Sequence, residues 1–201
     1  MHKRFIECAY DEYVINDTYK LLSFADMHIS EVSSFVAEVY YNKKHYKFED
    51  DFEIIKDNIH ENDERLDRHS FIFCLLNREN DICCTLKLFK KDSPDWLLPI
   101  EEEFGIDLNY FEEFPLLEIG RFASNGNISF NLIVSMFKRI IQVVNIKDSR
   151  LFASLDKRVY KQLLRLKYPI YPLGNYRYYM GTDTIPVGVK VSELLSVKLG
   201  G

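Results

Sequence analysis

Glycine is scarce in this sequence, with 8 in 201 residues, and no G-x-G-x-x-G or P-loop pattern follows any strand-like segment. Dinucleotide and nucleoside-triphosphate binding of those kinds therefore lacks support. Proline is also sparse at 6, no Pro/Gly/Ser-rich stretch parts the chain, and no internal repeat is present, so a single domain over 1–201 is expected. No apolar run approaches the roughly 20 residues of a membrane span. The opening "MHKRFIECAYDEY" has no apolar signal-peptide core. The four cysteines (Cys8, Cys74, Cys83, Cys84) lack metal-ligand spacing, and the five histidines (His2, His28, His45, His60, His69) do not cluster. These absences together imply reduced thiols in a cytoplasmic protein with no metal site.

What is present is a core and an uneven charge. Apolar residues make up 47% of the chain and aromatics 14%, enough for a sizeable interior. Residues 1–113 carry 26 acidic and 13 basic side chains. Residues 128–167 carry 9 basic ones against only Asp148 and Asp156. That second stretch is expected to attract anionic partners, or else to be a pair of solvated helix faces. The acidic total and the absence of aromatics interleaved with the basic residues argue against nucleic acid.

Periodicity orders the elements. "KRFIECAY" and "DTYKLLSFA" read as short strands or extended segments; "ISEVSSFVAEVYYNK" has helical spacing with Ser30 as N-cap; a short acidic helix is expected around 50–60. "HSFIFCLLN" and "DICCTLKLF" form a hairpin through "RENDI". A connection with one short helix follows, then the strand "PLLEIGRFA", a long helix over "ISFNLIVSMFKRIIQVVNI", the strand "RLFASL", a helix capped by Asp156, and closing strands. This mixed order predicts an α/β (α+β) layered fold, with helices on both faces of one mixed sheet.

The strand at 115–123 carries two charges, Glu118 and Arg121, in an otherwise apolar run. Alternation puts Glu118 on one face with Gly120, and Arg121 on the other, so each needs its own partner. Gly120 leaves open volume beside Glu118, which suggests room for a small polar ligand; a structural ion pair is the alternative. Arg121 is expected to pair with an acid near Asp50 and Asp51. The following "SNGN" turn, entering a helix, aims backbone N–H groups at one point, a geometry suited to phosphate or to an ordinary connection.

At these residues a resemblance appears. "CCTLKLF", "LPIEEEF" and "LLEIGRFA" followed by a long helix resemble the long-chain N-acyl amino acid synthases. The related acyl-homoserine-lactone (autoinducer) synthases share a Glu-x-Ser-Arg-Phe pattern, and both groups have the Gcn5-related N-acetyltransferase-like (GNAT-like) fold. The ending "YPLGNYRYYMGTDTIPVGVKVSEL" is similar as well, so the likeness covers about residues 20–195. The resemblance implies that Glu118 is the catalytic glutamate, and that Arg121 and Phe122 are the Arg-Phe pair. Gly120 stands where a serine is usual, and Lys87 where an arginine is usual; with Arg121 they are the expected substrate-binding residues. The expected helix lacks the tyrosine general acid of many acetyltransferases: Leu163 is near that place and Tyr160 lies one turn earlier.

The implied activity is N-acyl transfer from an acyl-carrier-protein or acyl-CoA thioester to the amine of an amino acid or similar small molecule. Glu118 accepts the amine proton. Phe122, Ala123, Ser124, Asn125 and Gly126 bind the donor through backbone N–H groups. Phe71, Phe73 and Leu75 are candidates to house an acyl chain, though core packing explains them equally. Lys138, Arg139, Arg158, Lys161 and Arg165 are expected to dock the acidic carrier protein. Two alternatives stand beside this reading: an acetyl-CoA-dependent acetyltransferase, which would favour a glycine-richer loop than "SNGNIS", and a catalytically silent relative that only binds.

Overall fold

Two nearly continuous apolar runs build the central hairpin: β3 (Ser70–Leu76) and β4 (Ile82–Lys90), antiparallel from Ser70 opposite Phe89 to Leu76 opposite Ile82. The computed structural model describes residues 12–24, 29–43, 46–111, 113–126 and 128–197. The expected strand "KRFIECAY" lies outside them except for its neighbour β1 (Glu12–Val14), and so do Cys8, His2, His28 and His45. The turn "RENDI" forms as expected. Asn80 takes a left-handed φ of 67°, which asparagine tolerates, and Asp81 N–H donates to Asn77 Oδ1 at 2.8 Å.

The chain divides into two compact units. The first comprises residues up to Phe89 together with Arg121–Val144. In it β1 pairs β2 (Lys20–Phe24), and β2 pairs β3, both antiparallel. Helix α1 (Ile29–Tyr41) packs on α2 (Phe52–Arg65). Val32 and Val36 of α1 are buried at helical spacing, with Ala37 beside them. Ser30 lies inside α1 rather than capping it, and the residues before Ile29 are outside those described. The free cysteines Cys74 and Cys84 are buried on adjacent strands, and burial pushes the Cys84 thiol up to about 12. Helix α2 continues to Arg65, well past the expected end, because Ile55, Ile59 and Asp63 all face inward at four-residue spacing.

The second unit comprises Lys90–Gly120 and Asn145–Gly201. Helix α3 (Pro99–Phe104) stops at Gly105, whose φ of 64° suits a residue without Cβ. Strand β5 (Leu116–Ser124) pairs parallel with β6 (Arg150–Asp156), and β6 pairs antiparallel with β9 (Thr182–Lys190). The short strands β7 (Tyr171–Pro172) and β8 (Arg177–Tyr179) both pair with β9. A Cβ at Gly188 of β9 would come within 2.8 Å of the Tyr171 ring, so glycine is needed there. Asp156 caps α5 (Lys157–Arg165) as expected, its Oδ1 accepting from Arg158 N–H at 2.8 Å and Val159 N–H at 2.9 Å. A last helix, α6 (Val191–Ser196), follows β9 directly. Only strands were expected there.

The nine strands hydrogen-bond as one mixed sheet in the order β1-β2-β3-β4-β5-β6-β9-β7, with β8 also on β9. Strand β5 contributes to both units, Leu116–Gly120 to the second and Arg121–Ser124 to the first. Helix α4 (Phe130–Val144) follows it and buries Leu132, Met136, Ile140 and Ile141. Among the described residues no helix is long and apolar enough to cross a membrane.

Candidate active site

Strand β5 does not run as a regular strand. Arg121 adopts φ = 52°, the left-handed region that costs an L-residue about 1–2 kcal/mol. Parallel pairing with β6 covers only Leu116–Ile119, although β5 continues to Ser124. The left-handed residue resets the pleat, so strict alternation does not hold across the motif. Leu116, Leu117 and Glu118 are buried in succession.

Three contacts hold this irregularity. Arg121 Nε donates to Asp63 Oδ1 at 2.9 Å. Thr85 Oγ1 donates to the Arg121 carbonyl at 3.0 Å, and the Tyr40 hydroxyl donates to the Phe122 carbonyl at 3.2 Å. Hydrogen bonds of about 0.5–1.5 kcal/mol each are enough to offset the strain. A strained backbone fixed by its surroundings is a mark of functional sites.

Asp63 replaces the expected Asp50 and Asp51 as the partner of Arg121, and it gathers Lys87 as well. Lys87 Nζ donates to the Asp63 carbonyl at 2.9 Å and lies 3.5 Å from Oδ1. Ser33 Oγ donates to Asp63 Oδ2 at 3.1 Å. The Lys87 and Asp63 side chains are each 1% exposed, so two cations share one dehydrated carboxylate. Burial pushes the Lys87 ammonium below its ordinary range; the Asp63 charge opposes this and the Arg121 charge adds to it. Sequence reading missed Asp63, yet a signal existed: an aspartate continues the buried stripe of Ile55 and Ile59.

Glu118 is buried and belongs to a different set of contacts. Its Oε2 accepts from Ile100 N–H at 2.8 Å, in the first turn of α3. Leu98, the N-cap residue, has no polar side chain, so Glu118 does the capping from a distant position in the chain. Glu101 completes the helix start, accepting from Leu98 N–H at 2.9 Å and pairing with the Lys91 ammonium at 2.6 Å.

Two backbone amides after the strand find partners, one on β4 and one at the end of β5 itself. Asn125 N–H donates to the Cys83 carbonyl at 3.2 Å, and Gly126 N–H to Ser124 Oγ at 3.3 Å. Gly126 has φ = 84°, open to glycine. Ser129 caps α4, its Oγ accepting from Leu132 N–H at 3.2 Å; a serine just before an apolar helical run was a readable sign of this. Ala123 is buried, and the Phe122 ring packs against Phe137 at 5.9 Å. Phe71, Phe73 and Leu75 are all buried core residues.

The five basic residues expected to dock a carrier protein differ in exposure. Arg158, Lys161 and Arg165 are exposed along one face of α5, and Lys138 is exposed on α4. Arg139 packs its guanidinium over the Tyr13 ring at 4.8 Å. Lys157 pairs with Asp183 at 3.2 Å and covers the Tyr176 ring. Among the described residues no group of three or more His, Cys, Asp or Glu is placed to hold a metal ion.

No family model matches the sequence, and no curated protein matches it by sequence. Solved structures match it across almost its whole length. FeeM, an N-acyl amino acid synthase from uncultured soil microbes, is 16% identical, with a TM-score of 0.66 over 95% of this chain and 97% of its own. The chain has the GNAT fold of these solved structures. TofI, solved in a ternary complex with an inhibitor and MTA, gives a TM-score of 0.60 at 13% identity over 85% of this chain and 91% of its own. The AHL synthase LasI gives 0.57 at 11% identity, over 91% and 96%.

Proposed function

We propose that this protein is an N-acyltransferase that moves an acyl group, of long-chain type, from an acyl-carrier-protein or acyl-CoA thioester to the amine of an amino acid or similar small molecule. One observation carries the reading: a fixed left-handed break at Arg121, three residues after a buried glutamate, in a chain with the GNAT-like fold. In this reading the break at Arg121 presents the backbone N–H groups of Phe122 and Ala123 to a donor carbonyl.

In the proposed reaction the neutral amine attacks the thioester carbon and forms the C–N bond. The carbonyl oxygen gains negative charge and is held by the Phe122 and Ala123 amides. Glu118 takes the proton lost by nitrogen, directly or through a water. The C–S bond then breaks and the donor thiolate leaves, recovering a proton. The bond from Ile100 N–H orients the Glu118 carboxylate. Gly120 leaves room for the acceptor beside Glu118. Lys87 and Arg121, both engaged by Asp63, serve the substrates as positioning residues by fixing the strand. Ser124, Asn125 and Gly126 receive the pantetheine end of the donor. Arg158, Lys161 and Arg165 of α5, and separately Lys138 and Arg139 of α4, are the basic residues that attract an acidic carrier protein in this reading. The metal-free acid–base chemistry needs only these groups, and the cytoplasm is the compartment that supplies such thioesters.

Mass spectrometry of lipid extracts from cells expressing the wild type and Glu118→Gln tests this. The wild type is expected to accumulate N-acyl products that fall by at least about a hundredfold in the variant, the scale of losing a general base. Equal product in both, or none in the wild type, would overturn the reading. Purified protein given acetyl-CoA beside long-chain donors separates an acetyltransferase from a long-chain enzyme.

A further inference from the structure

Three neighbouring strands of the second unit gather polar groups at one end of a sheet face. Arg150 opens β6 and stands opposite Lys190 of β9; two positions along, Phe152 stands opposite Gly188. Gly188 in turn faces Tyr171 of β7, whose ring covers it. Residues opposite one another in a ladder share a face, and so does every second residue along a strand. Arg150, Lys190 and the Tyr171 ring are therefore on one side of the sheet.

Two cations directly opposite each other repel. Lys190 has a partner in Glu193 at 3.7 Å, but that pair is largely exposed and offsets little. Arg150 is half-buried and has no such partner. Among the described residues no carboxylate pairs with it, and its buried Nε has no well-directed acceptor. The Tyr171 hydroxyl is likewise buried without a well-directed partner. Burial raises the Tyr171 phenol above its ordinary range, the nearby Arg150 charge opposes this, and Glu193 adds to it. The guanidinium is nonetheless held in place, 4.8 Å from the Phe114 ring centroid and 5.5 Å from that of Phe111.

We propose that Arg150, with Lys190 and Tyr171, forms an oxyanion-binding site for a small molecule that carries a carboxylate or a phosphate, separate from the site of Glu118. The aromatic contacts hold the guanidinium through its charge and leave its N–H donors to a ligand. Its planar fork matches two oxygens of a carboxylate or phosphate at once. A fork already fixed by packing loses little freedom on binding. Lys190 adds a second charge from the adjacent strand, so an anion between them turns repulsion into attraction. Phe114 is 37% exposed while it packs on the guanidinium, which gives the apolar part of a ligand a ring to lie on. Phe152 separates this site from Glu118. It has no exposure, fills the row between Glu118 and Gly188, and is packed by Phe111 at 5.7 Å.

Calorimetric titration of the full chain with phenyl phosphate, phenylacetate and, as the uncharged control, benzyl alcohol tests the site. At least one of the two anions is expected to bind saturably, and the tighter one identifies phosphate or carboxylate as the preferred group. Arg150→Gln is expected to weaken that binding about tenfold to a hundredfold, the range for a hydrogen bond to a charged group. Arg150→Lys recovers only part of the loss, because it restores the charge without the fork. Lys190→Met, at an exposed position, weakens binding about two- to fivefold and decides the matter if Arg150→Gln does not show a wild-type-like unfolding transition. Glu118→Gln leaves the Kd unchanged. Failure of both anions to bind the wild type, or binding of benzyl alcohol as tight as theirs, would overturn the site. So would a Kd that neither Arg150→Gln nor Lys190→Met alters. Binding lost in Glu118→Gln as fully as in Arg150→Gln would put the anion at Glu118 and end the claim of a separate site.

Discussion

At the scale of single residues, Asp63 decides more than any other described side chain. One buried carboxylate accepts from Ser33 and Arg121, and the same residue's carbonyl accepts from Lys87. Its negative charge faces two cations that burial has stripped of water. Taking such a charge away leaves uncompensated partners, which costs far more than the intact group contributes over an apolar replacement. Asp63→Asn is therefore expected to destabilise the protein by about 3–5 kcal/mol, read as a lowered urea midpoint. A loss below about 1 kcal/mol would show the cluster to behave as an exposed one. Lys87 illustrates the same economy of charge. An arginine there would offer a fork of donors, whereas lysine offers a point charge that reaches the Asp63 backbone carbonyl and carboxylate together.

At the scale of elements, the helix starts explain how sites are positioned. Helix α5 carries its own cap in Asp156, and α4 carries one in Ser129. Helix α3 has no such residue, and Glu118 takes the place of one. Glu118 thus combines a structural bond with the proposed proton transfer, and the two roles separate by mutation. Glu118→Gln retains a carbonyl oxygen for Ile100 N–H and should unfold within about 1 kcal/mol of the wild type. Glu118→Ala leaves that buried amide unpaired and should cost about 1–3 kcal/mol. Thermal or urea unfolding of both variants checks this; equal stability of the two would remove the capping role. The comparison also shows whether product lost in Glu118→Gln is lost from chemistry or from folding.

At the scale of the whole molecule, charge is unevenly distributed along the chain. The chain is acidic overall at −5, but its exposed cations include Arg158, Lys161 and Arg165, spaced along one face of α5. Lys157, which is not one of the three, is pinned by an ion pair to Asp183. Long-range attraction of this kind acts on association and weakens with salt. The double variant Lys161→Glu, Arg165→Glu is expected to lower carrier-dependent kcat/KM about tenfold or more at low ionic strength, with the gap narrowing as salt is added. Turnover with a CoA thioester should change much less. Equal carrier-dependent rates for the variant and the wild type would remove α5 as the docking surface.

The amino-acid sequence by itself determined the mixed α/β layering, the hairpin, the long helix after the motif and the cap of α5, because each follows from periodicity and local turn or cap chemistry. It also singled out Glu118 and Arg121, since two charges in an apolar strand have to be compensated. It did not extend α2 to Arg65, find α6 or name the partner of Arg121, since these depend on burial between segments distant in the chain. Only the tertiary structure decided that Asp63 binds both Arg121 and Lys87 and that Glu118 caps α3. The left-handed turn at Arg121 belongs to the same group. An arginine has no local preference for that conformation, and it is held there by Asp63, Thr85 and Tyr40 from three other elements.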